Sequence, residues 1–94
     1  MSYVTVSNWN LESWDDSMLG IAQDKFVPMI QALGATTVSM VRTGDLSMMV
    51  VTHYPDGETA KIAAEKISEI RSEAAAEFSM SLVSVQAGEV LASG

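Results

Sequence analysis

The chain has no cysteine and one histidine, His53, in 94 residues. The first absence excludes a disulfide scaffold, thiolate metal ligation and a cysteine nucleophile together, and it fits a reducing compartment. The second leaves no histidine pair for a metal site. Glycine-rich phosphate loops, GxGxxG and HExxH are all missing. With one histidine and no nucleophile elbow, a Ser-His-Asp triad has only formal support. No apolar run approaches the roughly 20 residues that cross a bilayer, and the opening MSYVTVSNWN lacks the charged-then-apolar layout of a signal peptide. The expectation is a soluble, cytoplasmic protein with no metal and no cofactor. Positive charge is scarce as well, with five Lys and Arg against twelve Asp and Glu and a formal charge of −7. That sign disfavours nucleic acid and anionic membranes as partners.

Apolar residues, by contrast, are plentiful. They make up 48% of the chain, against 18% charged. A domain of this length buries only about 60 to 65% of its unfolded surface, so stability is thin and a partner subunit would add to it. One domain, spanning 1–94, is expected.

YVTVSNWNL (3–11) alternates Val4, Val6 and Asn8 with Tyr3, Thr5, Ser7 and Trp9, the period-2 pattern of a strand. ESWDDSMLG then changes register. Ser13 and Asp16 suggest a capping box and a helix starting near Asp15. Met18, Ala22, Phe26, Met29, Ile30 and Leu33 form a helical stripe that Gly34 ends, and Pro28 predicts a kink or break inside it. Two β-rich runs, 36–42 and 46–54, flank TGD at 43–45 and predict an antiparallel hairpin whose glycine supplies a positive φ. Asp56 or Thr59 then caps a second helix with the stripe Ala60, Ala63, Ala64, Ile67, Ile70, Ala74 and Phe78. The run from Met80 begins as a fourth strand.

The order β-α-β-β-α-β predicts an α+β, ferredoxin-like sandwich: a four-stranded antiparallel sheet with two helices on one face. In the third strand both sides carry apolar bulk, Met48 and Val50 on one and Met49 and Val51 on the other. The face without helices would therefore expose an apolar patch in a monomer, which predicts a homodimer through that face. On this order of elements, on MIQALGA (29–35) leading directly into a strand, and on the tight hairpin after it, nearly the whole chain resembles the dimeric α/β-barrel superfamily. The resemblance implies two sheets closing into an eight-stranded barrel whose lumen holds a small organic molecule. The superfamily includes cofactor-independent monooxygenases, polyketide cyclases, haem-degrading enzymes and proteins without known activity, so fold alone selects no function.

His53 is the candidate catalytic residue, since its unperturbed pKa of roughly 6.5 suits an acid or base near neutrality. By strand parity it shares a face with Met49 and Val51. The bland reading is a polar residue closing a strand before Pro55. Asn8, Trp9, Arg42 and Tyr54 are candidate ligand-binding residues, with Tyr3 and Trp14 as further rim groups and Arg42 able to fork onto a carboxylate. Haem degradation is disfavoured, because the resemblance calls for a ligating histidine on the second helix and none stands there. Glu65, Glu69, Glu73 and Glu77 read as a solvated helix face, and the seven methionines as core filling. Two functional readings follow: a homodimer binding a hydrophobic or aromatic metabolite, and a cofactor-independent monooxygenase or cyclase with His53 as general base.

Overall fold

The computed structural model describes residues 2–94. Strands β1 (Tyr3–Leu11), β2 (Thr37–Gly44), β3 (Ser47–Tyr54) and β4 (Met80–Glu89) form one antiparallel sheet in the order β2-β3-β1-β4. Helical segments α1 (Ser17–Ile21) and α2 (Val27–Gln31), joined by a π-helical turn (Ala22–Phe26), and the long helix α3 (Gly57–Phe78) cover one face. This is the expected ferredoxin-like arrangement. None of the described helices is long and apolar enough to cross a membrane.

The core follows from strand parity. Ser7, Trp9 and Leu11 of β1 and Met48, Val50, Thr52 and Tyr54 of β3 are buried on the helix side. They meet Phe26, Ile30, Ala74 and Phe78 from the helices. Phe26 and Phe78 pack ring to ring at 5.2 Å and 59°, within the range where tilted aromatic pairs add to burial. The buried residues of α3 are Ala60, Ala63, Ala74 and Phe78, whereas Ala64 of the expected stripe is exposed.

Local chemistry explains where the elements begin and end, and corrects three expectations. The first helix starts at Ser17, two residues after Asp15. The Ser13–Asp16 capping box does not form, since Asp16 at the N-cap makes no side-chain cap bond and its carboxylate instead accepts from Trp14 Nε1 at 3.2 Å. Asp15 does the neighbouring work, accepting the Ser17 N–H at 2.9 Å. At Pro28 the helix neither breaks nor stops. It widens one turn earlier, where the Val27 N–H reaches the Ala22 carbonyl five residues back. That register accommodates a ring that would otherwise strike the carbonyl four residues before it. The hairpin turn lies at Asp45–Leu46 rather than within TGD, and Gly44 closes β2 without a positive φ. A Cβ there would stand 2.6 Å from Ser47 Oγ, so a larger residue would require that hydroxyl to turn away. The positive φ among the glycines belongs to Gly34, at 106°, where a Cβ would also meet Thr59 Cγ2 at 2.6 Å.

Helix α3 is capped by Asp56, whose carboxylate accepts the Thr59 N–H at 2.7 Å. That bond, chiefly, holds the Asp56 pKa below the ordinary carboxylate value, because only the ionised form accepts it fully. A depressed folded-state pKa adds stability above the unfolded value and loses it as pH falls through the folded one. Thermal melts should therefore show stability falling on acidification below about pH 4, with a shallower acid slope in Asp56→Asn. Parallel slopes in the two proteins would remove Asp56 from the acid response.

Between Asn8 and Trp9 the β1–β4 register shifts: Asn8 pairs with Ser84 and Trp9 with Leu82, so Val83 bulges from the edge strand. The acidic stripe of α3 is partly paired, with Lys25 Nζ 3.0 Å from Glu73 and 3.8 Å from Glu77. It is otherwise the solvated face the sequence suggests.

Candidate functional site

The sheet has two very different faces. On the helix side the layers do not close completely, and they leave an internal cavity of about 40 Å³. Trp9, Phe26, Met48 and Phe78 supply most of its apolar wall, and Thr5, Ser7, Thr52 and Arg71 its polar groups. Ser7 Oγ accepts from Trp9 Nε1 at 2.8 Å, which fixes the indole and leaves the serine proton free to donate. Met40, Met48 and Phe78 separate this cavity from a second, of about 130 Å³, under Trp14 and Arg42. On the opposite flank Trp9, Arg71 and Met80 separate it from a shallow groove of about 410 Å³ between α3 and β4. On both flanks only side chains stand between the cavity and the neighbouring space.

The uncovered face is distinctive in composition. Register places Val4, Val6, Asn8 and Asn10 of β1 beside Ser47, Met49, Val51 and His53 of β3. Thr37, Ser39 and Val41 of β2 and Ser84, Gln86 and Gly88 of β4 complete it. Of the chain's 17 acidic and basic residues, none stands at these paired positions.

The five sequence candidates divide between the two faces. His53 and Asn8 belong to the uncovered face. His53 is half-buried and shares a 3.1 Å hydrogen bond between Nδ1 and Thr37 Oγ1. Asn8 donates from Nδ2 to Ser84 Oγ at 3.2 Å. His53 stands opposite Val4, four residues along β1 from Asn8, which is about 13 Å of strand. The two cannot act on one reacting atom. Trp9, by contrast, lines the internal cavity. Arg42 lies over the Trp14 ring at 4.4 Å and donates to the Asp45 carbonyl at 3.0 Å, so it forms the lid of the second cavity. Tyr54 is 2% exposed and packs with Ala60 and Ala63 in a smaller core cluster. Burial raises its pKa, partly offset by the Arg71 charge.

No family model matches the sequence, and no curated protein matches it. Solved structures do. The chain superposes on Rv0793 from Mycobacterium tuberculosis with TM-score 0.71 at 9% identity, covering 99% of this chain and 98% of that one. It superposes on SnoaB, a cofactor-independent oxygenase from Streptomyces nogalater, with TM-score 0.73 at 8% identity, covering 98% and 95%. A dimeric ferredoxin-like protein from an uncultured marine organism gives TM-score 0.67 at 14% identity, covering 98% and 97%. The chain has the ferredoxin-like α+β fold of these proteins. At these identities the likeness carries architecture and not activity.

Arg71 is the residue that sequence reasoning missed. It lies on α3 inside a run rich in Glu and Ala that reads as solvated surface, yet it points at the cavity and is half-buried. Burial lowers its pKa, with Tyr54 acting the other way. A signal was available: Ile67, Ile70 and Ala74 belong to the buried stripe, and a residue directly after Ile70 flanks it.

Proposed function

We propose that the protein is a homodimer that binds a small hydrophobic or aromatic molecule in the cavity between the sheet and its helices. The carrying observation is an apolar interior space in two parts, about 40 and about 130 Å³, divided by the side chains of Met40, Met48 and Phe78 inside a 10.1 kDa domain. Together they are comparable to the ~150 Å³ of an apolar cavity that admits benzene. Interiors are normally close-packed, and the smaller void alone costs on the order of 1 kcal/mol at ~24 cal/mol per Å³. A domain with so small a core gains from an occupant. Dimerisation rests on the uncovered face, where charge is absent and Val4, Val6, Met49 and Val51 are contiguous, since interface centres are depleted of charge.

The test is a titration of protein with labelled methyl groups, using 4-phenyl-1-butanol followed by NMR. Ile30, Val50 and Ile67 methyls should shift, while Val4, Val6 and Val51 methyls stay in place. The absence of any saturable shift overturns the binding reading.

A second reading, a cofactor-independent monooxygenase or cyclase, is supported by the fold shared with SnoaB. The Thr37 bond to His53 Nδ1 also supports it, because it orients the ring and leaves Nε2 free. There His53 is the general base in a lumen closed by the second sheet. Shifts confined to the Val4, Val6 and Val51 methyls favour it over the first reading.

A further inference from the structure

Arg71 is a cation without an anion. The chain carries twelve carboxylate side chains against five basic ones, and Lys25 alone engages two of them. Among the described residues Arg71 has no ion pair and no side-chain hydrogen bond. The reason is positional. The partners a helical residue reaches lie three and four places away, and for Arg71 these are Ile67, Ser68, Ala74 and Ala75. None is acidic. Lys61 and Lys66, on the same helix, have Glu65 and Glu69 at those spacings. On its other side Arg71 faces hydroxyls, from Thr5, Ser7 and Thr52, and the Tyr54 phenol is near enough for its charge to be felt.

The guanidinium is half-buried, lines an apolar space without a counter-ion, and keeps its unpaired N–H groups accessible at the groove, so an anion arriving there finds donors that are not already engaged. The groups around it donate hydrogen bonds and are uncharged. Position adds a direction, because Arg71 lines both the internal cavity and the groove between α3 and β4. A ligand entering from the groove would place its body against Trp9, Met48 and Phe78 and leave its end at the guanidinium. The net charge of −7 is spread over the surface and screened beyond a Debye length of about 8 Å, so it opposes an anion only weakly at this point.

We infer that the cavity's occupant is an organic acid, an apolar or aromatic body bearing one carboxylate, and that Arg71 receives the carboxylate through its planar fork at the groove end. This rests on the binding reading above and narrows its ligand class. A guanidinium matches a carboxylate with two parallel N–H donors, and such a charge-assisted contact is worth roughly tenfold or more in affinity.

The experiment uses a matched pair, 4-phenylbutyrate and 4-phenyl-1-butanol, titrated into the full-length protein and into Arg71→Gln and Arg71→Lys. The acid should bind the parent at least about tenfold more tightly than the alcohol. In Arg71→Gln the acid should lose at least about tenfold in affinity and the alcohol much less, so that the preference vanishes, and Arg71→Lys should restore part of it. Melting curves of the variants check that all are folded. If acid and alcohol bind the parent equally, or if Arg71→Gln weakens both alike, the organic-acid assignment is overturned and the apolar-binding reading stands. If neither ligand binds the parent, both are overturned.

Discussion

Val51→Asp is expected to leave a folded monomer. Val51 is at the middle of the uncovered face, paired with Val6 on one side and Ser39 on the other. In a single chain that face meets water, so an aspartate there is solvated and the fold survives. In a dimer the same substitution places one carboxylate from each subunit in an interface that holds no cation. Burying an uncompensated charge, with its like-charged copy nearby, costs several kcal/mol. The dimer dissociation constant should rise by at least about a hundredfold. Light scattering after size exclusion at micromolar concentration reads the result directly: about 20 kDa for the parent, twice the 10.1 kDa chain, and half of that for the variant. Val51→Thr, which keeps shape and adds no charge, should remain dimeric. A parent that elutes as a monomer, or a Val51→Asp variant that remains a dimer, sinks the sheet-to-sheet assembly.

Phe26→Ala is the substitution with the largest expected effect on folding. Phe26 is 1% exposed, stacks on Phe78 and closes the cavity from the π-helical turn. Removing its ring enlarges a void that already exists, where neighbours are poorly placed to collapse. Truncations of this kind cost about 3–5 kcal/mol, against a total of about 5–15 kcal/mol for native domains. For a domain of this length the midpoint should fall by at least about 12 °C. Ile62→Ala, at a residue 63% exposed, should change it little. Equal midpoints for Phe26→Ala and the parent would mean that the aromatic pair is not part of the stabilising core.

Period-2 and helical stripes carried the architecture because they are direct consequences of one-sided burial. Strand parity alone assigned Met48, Val50, Thr52 and Tyr54 to one face and Met49, Val51 and His53 to the other, whereas local chemistry narrowed the cap of α3 only to Asp56 or Thr59, of which Asp56 makes the bond. What escaped the sequence depended on distances between elements. The position of the hairpin turn depends on how Gly44 fits against Ser47, which no local pattern encodes. The widened turn before Pro28 is one of several ways to accommodate a proline, and packing of Phe26 decides among them. The candidate site was read from residue chemistry on the strands, so Arg71 on a charged helix was passed over. Its place beside the cavity shows only when α3 is laid against β1. Conversely, Asn8 and Trp9 are adjacent in sequence and look like a pair, but alternation sends them to opposite sides of the sheet.

The π-helical turn has a consequence for where the fold opens. An α-helix yields by fraying from its ends, and α3, with 22 residues and a capped start, offers little of that kind. The opposite wall is different, since it is built from two five-residue segments around a turn in a wider register. Pro28 removes one amide from that stretch, so there are fewer bonds to break and local opening there costs less than opening the sheet or α3. The wall carrying Phe26 is therefore the natural hinge of the cavity. Amide exchange across residues 18–33 should be faster than across α3, so the layer over the sheet loosens from one side while the sheet and its long helix stay paired.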